Sequence, residues 1–138
     1  MSSIVQGLTT SFKAQSFEGV QNLLTDSLKI ALYTANADLN EATTVYTSVG
    51  EVVASGYTAG GVALTGATIN SSGFTAYVSF TNVTFSANIT ARCALIYNVT
   101  QGNKSIFVLD FGSDKTQSPF TITWPANTVT SAIIRSSN

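Results

Sequence analysis

Charge is scarce in this sequence. Only 9% of its 138 residues are charged, against about 25% in an average protein. Lys and Arg total six and stand singly, and the net charge is −1. Binding to a phosphate backbone needs clustered cations that release counterions, so no nucleic-acid partner is expected. Histidine is absent, which removes the side chain most often used for proton transfer near neutral pH. Cys93 is the only cysteine, so no internal disulfide can form. It lies in the apolar run Ala91 to Tyr97 and is expected to be a small buried hydrophobe. No apolar run approaches the ~20 residues of a membrane-spanning helix, so no membrane partner is expected. The start, Met1-Ser2-Ser3-Ile4-Val5-Gln6, has no cationic stretch leading into an apolar one, which predicts no secretory signal. The Asn-x-Ser/Thr triplets at Asn70, Asn82, Asn88, Asn98 and Asn103 then follow from composition alone.

Ser and Thr take roughly a quarter of the positions. A surface of hydroxyls and amides is cheaper to desolvate than one of ions. It can be covered by another protein without stranding charge. The apolar fraction of 44% fits a folded chain, and the length fits one domain, residues 1–138.

Residues 1–24 read as an N-terminal helical segment or arm. Phe17, Val20 and Leu24 fall at helical spacing, with Phe12 and Leu23 widening the stripe and Thr10 or Ser11 as cap. After a turn at Thr25-Asp26-Ser27 the period becomes two. Leu28, Ile30 and Leu32 share one face of a strand. Thr43 to Val53 reads as an irregular strand and Gly56 to Gly61 as a turn-rich connection. Strands are predicted from Val62, over Phe74–Phe80, at Val83–Phe85, and over Phe120–Trp124, with Phe120, Ile122 and Trp124 inward. Ala91–Val99 and Ser105–Phe111 are apolar on both faces and predict central strands, joined by a turn at Gln101-Gly102-Asn103. Gly112–Pro119 reads as loop and Ala132–Arg135 as a closing strand. About eight strands predict an all-β, jelly-roll-like β-sandwich with a short N-terminal helix, burying Phe80, Leu95, Val108, Ile122 and Ile134 between two sheets.

Residues suited to catalysis are few. Asp110 and Asp114 could offer oxygen ligands to a cation, but their spacing reads better as a turn, with Lys115 as an ion partner. No metal, no cofactor and no enzymatic activity are expected. Trp124 suits a sugar platform less well than a core or interface anchor. The tyrosines are more telling, because Tyr is enriched at protein interfaces. Tyr33, Tyr46, Tyr57 and Tyr77 are the candidate interface residues on this register.

Several runs together carry a resemblance. They are Ser11-Phe12-Lys13, Lys29-Ile30-Ala31-Leu32-Tyr33-Thr34, Gly56-Tyr57-Thr58-Ala59-Gly60-Gly61 with Leu64-Thr65-Gly66, Ala94-Leu95-Ile96-Tyr97-Asn98, Val108-Leu109-Asp110-Phe111-Gly112-Ser113-Asp114-Lys115 and Ala132-Ile133-Ile134-Arg135. The chain resembles the capsid cement, or decoration, proteins of tailed bacteriophages over nearly its whole length. The resemblance implies a jelly roll on the outside of an icosahedral virion, made in the host bacterial cytoplasm and straddling neighbouring subunits. Its partners would be the major capsid protein and further copies of itself, as a homo-dimer or homo-trimer. No catalytic residue comes with the family. A tail, neck or baseplate protein of the same particle and a carbohydrate-binding β-sandwich are the competing expectations.

Overall fold

The computed structural model describes residues 3–128 and 130–136. Met1 and Ser2, where the reading for a secretory signal begins, lie outside the described residues. The elements are β1 (Gly7–Leu8), α1 (Thr10–Phe17), β2 (Leu28–Tyr33), β3 (Val62–Leu64), β4 (Thr68–Ser72), β5 (Thr75–Ser79), β6 (Val83–Phe85), β7 (Ile89–Asn98), β8 (Lys104–Gln117), β9 (Phe120–Ile122) and β10 (Ile134–Ser136). One layer is a five-stranded antiparallel sheet, ordered β1-β8-β7-β2-β3. The facing layer holds a three-stranded sheet, β10-β5-β4, and the pair β6-β9. The protein is an all-β sandwich with a short N-terminal helix.

The alternation of β2 sets the layering. Leu28, Ile30 and Leu32 point into the sandwich and meet Ala94 and Ile96 of β7, Phe107 and Leu109 of β8, and Val78, Phe80, Phe85, Phe120, Ile122, Trp124 and Ile134 from the other layer. The opposite face of the same sheet is equally apolar. Ala31, Leu95 and Val108 form one cross-strand row there, with Tyr33, Cys93 and Tyr97 beside it. The expected two-faced central strands are therefore present. Leu95 and Val108 do not face Phe80, Ile122 and Ile134 as anticipated, however. They belong to a second core on the far side of the sheet.

That second core is roofed by chain rather than by another sheet. The connection from Thr34 to Gly61 folds back over β2, β7 and β8 and lays Ala37 and Leu39 on the row, with Ile4 and Tyr46 at its margin. It touches the strands through single bridges, Tyr33 with Glu51 and Val45 with Lys104, and the N-terminal segment adds Ile4 with Leu39. This accounts for the irregular strand expected over 43–53. Gly61 sits so close to β2 that a Cβ there would fall 1.8 Å from the Ile30 carbonyl oxygen, a clash any other residue would have to relieve by lifting the connection.

The helix is shorter than its sequence stripe. Thr9, not Thr10 or Ser11, is the cap, accepting from the Phe12 amide. Gly19, at φ 73°, closes it: the Val20 amide donates to Gln15 O and the Gly19 amide to Ser16 O, the paired arrangement of a Schellman end. Only Phe12 is buried, and the expected docking of Phe17 and Leu24 is overturned, since both lie in solvent. Polar anchors hold the segment instead. The Ser105 hydroxyl donates to Thr9 Oγ1 at 2.9 Å, Gln21 Nε2 donates to the Ser105 carbonyl at 3.2 Å, and Asn98 Nδ2 donates to Gln21 Oε1 and Asp26 Oδ2 at 3.1 and 2.8 Å. A second correction concerns Gly112–Pro119. β8 runs on to Gln117, because Lys115, Thr116 and Gln117 pair with Ala91, Thr90 and Ile89 of β7, with residues 111–114 bulging out between that ladder and the pair of Asp110 with Cys93.

Candidate functional site

The tyrosines converge, but inward. Glu51 is brought to the sheet by its bridge with Tyr33 and is buried. Its carboxylate accepts hydrogen bonds from Tyr46 Oη at 2.6 Å, Tyr57 Oη at 2.6 Å and the Gly60 amide at 2.7 Å. Tyr57 Oη also accepts from the Leu32 amide, and Tyr97 Oη donates to the Gly60 carbonyl at 2.5 Å. Tyr33 Oη donates to the Thr47 carbonyl at 2.6 Å, and the rings of Tyr46 and Tyr97 stack with centroids 4.8 Å apart. A buried carboxylate with three donors is satisfied, and here it fastens the connection to the sheet.

Of the four candidate interface tyrosines, Tyr33, Tyr46 and Tyr57 thus meet in one internal clasp. Tyr33 is 0% exposed and offers no area to a partner, because the face of β2 expected to look outward is the one the connection covers. Tyr46 and Tyr57 are half-buried. Tyr77 stands apart on β5, half-buried between Asn70 of β4 and Arg135 of β10. Burial pushes the Tyr97 hydroxyl up to about 12, with the Glu51 charge adding to it, and raises Tyr33, Tyr46 and Tyr57 further by the same causes. These hydroxyls are proton-bearing donors over the whole neutral range.

The other sequence candidates are also structural in their surroundings. Trp124 is buried, and its indole Nε1 donates to the Thr81 carbonyl at 2.9 Å. It forms one wall of an open groove of about 400 Å³ with Leu109, Phe111, Phe120, Ile122 and Ile133. Asp110 lies 3.4 Å from Arg92 Nε, too poorly aligned for a hydrogen bond, so that pair is Coulombic. Asp110 Oδ1 also accepts from the Gly112 amide at 2.8 Å. Arg92, rather than the anticipated Lys115, is its ion partner. Asp114 lies in the stretch of β8 that bulges out between Asp110, opposite Cys93, and Lys115, opposite Ala91. Among the described residues no group of three or more His, Cys, Asp or Glu could hold a metal, and no helix is long and apolar enough to cross a membrane.

Cys93 is fully buried, and desolvation, reinforced by the Asp110 charge, raises its thiol to about 12. The thiolate is the reactive form. We therefore expect no labelling of the native chain by a thiol reagent at pH 8 and complete labelling after unfolding in denaturant. Rapid labelling of the native chain would mean that the connection over the second core lifts readily.

What the surface does offer was missed by motif reading. Phe17 at the end of α1 and Phe74 at the tip of the β4–β5 hairpin are 93% and 92% exposed, and Val53 is 99% exposed. From Val52 to Ala91 the sequence holds no Lys, Arg, Asp or Glu. That stretch contains β3, β4, β5 and β6, so these four strands carry hydroxyls, amides and apolar groups alone. The run is visible in the sequence as it stands, but only the fold shows that part of it forms the β4–β5 hairpin, with β4 at the edge of its sheet. No protein-family model matches the chain, and comparison with the curated proteins and with the solved structures gave no significant match.

Proposed function

We propose that the chain is a bacteriophage virion structural protein that binds the outside of the capsid and cements neighbouring major capsid subunits. The observation that carries this reading is the absence of charge from Val52 to Ala91, whose exposed part includes all of β4 and the Phe74 side chain standing in solvent at the tip of its hairpin. Single exposed apolar residues are ordinary. A hairpin without one charge, its outer strand β4 exposed throughout, suits burial against another protein, because covering it leaves no ion unpaired. The motif resemblance to capsid cement proteins supports the same reading and supplies its partner, the major capsid protein. Its site on the virion exterior needs no catalytic group. The binding surface lies outside the clasp, because Tyr33, Tyr46 and Tyr57 are engaged in holding the connection.

A cement protein acts by bridging. Each contact can be weak when one copy spans two subunits, since the first contact raises the effective concentration for the second. The capsid lattice repeats, so stoichiometry tests the reading. Quantitative mass spectrometry of purified virions is expected to find this chain in numbers comparable to the major capsid subunit. A few copies per particle would move it to the tail, neck or baseplate, and absence from the particle would end the proposal.

A further inference from the structure

We infer that the outer edge of β4 is a self-association surface, on which β4 of a second copy adds antiparallel about a two-fold axis at Asn70. The inference extends the reading above only in requiring that the chain associates with itself, and it does not require a capsid. β4 ends the order β10-β5-β4, and all five of its residues are exposed. Its register with β5 is unbroken from Thr68 with Ser79 to Ser72 with Thr75. The hairpin closes through Gly73-Phe74 with Gly73 at φ 59°, the two-residue turn in which glycine takes the first central place. Such a turn closes on a hydrogen-bonded pair, so Thr68, Asn70 and Ser72 bond inward to β5. Ile69 and Ser71 therefore turn their amide and carbonyl groups away from the sheet.

An edge of this kind is normally guarded by Lys, by Pro or by a bulge. β4 has none of these. The other edges differ. β1 has two residues and β3 and β10 three each, while the distal half of β8 carries Asp114 and Lys115. The occupant follows from charge. A two-fold axis at Asn70 sets that residue opposite its own copy, so a charge there would meet a like charge, and sets Ile69 opposite Ser71 and Thr68 opposite Ser72. Thr68-Ile69-Asn70-Ser71-Ser72 carries no charge. Pairing about Asn70 sets Ile69 opposite Ser71 of the second copy, joining the two outward-facing groups on each side. It also carries Phe74 alongside Gly66 and Ala67 of the second copy, in the connection between β3 and β4.

The experiment is sedimentation equilibrium of the full chain, with circular dichroism and melting as the check on folding. The wild type is expected at twice the 14.4 kDa chain mass. Asn70→Lys and Asn70→Asp, both on an exposed position, are each expected to weaken self-association at least about tenfold, and an equimolar mixture is expected to restore the pair. Ser71→Pro removes one outward amide and leaves the bonds to β5 intact, so it too is expected to yield monomer with an unchanged melt. A wild-type chain that stays monomeric up to millimolar concentration overturns the inference, as does a dimer whose mass Asn70→Lys leaves unchanged. A monomer that loses capsid binding on Asn70→Lys also overturns it, and assigns the edge to a capsid strand instead.

Discussion

Leu95→Asp is expected to abolish folding. Leu95 is completely enclosed at the centre of the row Ala31, Leu95, Val108, roofed by Ala37 and Leu39. The acidic residues placed near this core are Glu51, held in its clasp, and Asp110, beside Arg92, and neither would stabilise a further carboxylate. Burying an ion without a partner costs several kcal/mol, and the lost leucine contacts add about 3 kcal/mol. Together these approach the 5–15 kcal/mol that hold an ordinary domain. Leu95→Ala separates the two contributions and is expected to fold with a loss of about 3 kcal/mol in denaturant unfolding. If Leu95→Asp melts like the parent, the connection does not seal that face.

Glu51→Ala is expected to be the most damaging change outside the apolar cores. Three donors lose their acceptor together: the hydroxyls of Tyr46 and Tyr57 and the amide of Gly60. An unsatisfied buried donor costs about 1–3 kcal/mol, and water entering the gap recovers part of it, so the net loss is expected to be about 3–5 kcal/mol. Tyr46→Phe and Tyr57→Phe each remove one hydroxyl and are expected to cost about 1 kcal/mol. Because all three groups share one carboxylate, the double change should be less than additive. Titration gives an independent check. The folded chain holds these hydroxyls above their ordinary value of 10.0, Tyr97 at about 12 and the others higher. A group raised on folding contributes its stability below the unfolded pKa and loses it as pH climbs through the folded one. The contribution of the clasp should therefore hold up to pH 10 and fall steadily above it. Equal alkaline melting of wild type and Glu51→Ala would show that the carboxylate does not hold the connection.

Much of this architecture was legible in the residues. The two-residue rhythm of Leu28 to Thr34 and the doubly apolar runs at Ala91–Val99 and Ser105–Phe111 located the three strands at the heart of the fold, and Phe120, Ile122 and Trp124 point inward as their alternation required. What could not be read was the covering of the second face. Alternation says that Leu95 and Ile96 point opposite ways, but it does not say that Ala37 and Leu39 return over one of them. That same omission misplaced Tyr33, whose face looks open until the connection is laid across it. The helix failed for a different reason. Phe17, Val20 and Leu24 keep helical spacing, yet Gly19 adopts the left-handed turn that ends the helix between them. The Glu51 clasp left no local signature, because its partners at Tyr46, Tyr57 and Gly60 come from irregular chain and Tyr97, which secures Gly60, from a distant strand. The uncharged stretch was fully visible, but a run of missing charges gains meaning only once it is seen to form a bare strand edge.

The ladder between β7 and β8 has a mechanical consequence. Nine residue pairs join these strands from Ile89 with Gln117 to Asn98 with Lys104, interrupted by two irregularities. Their hydrogen bonds lie across the strand direction. Tension drawn along the strands would load these bonds side by side, so that they yield together, whereas a peeling force would part them one after another from the open end at Ile89 and Gln117. If the chain cements a capsid as proposed, a shell under internal pressure would be braced best by copies oriented so that its stretch runs lengthwise down this ladder.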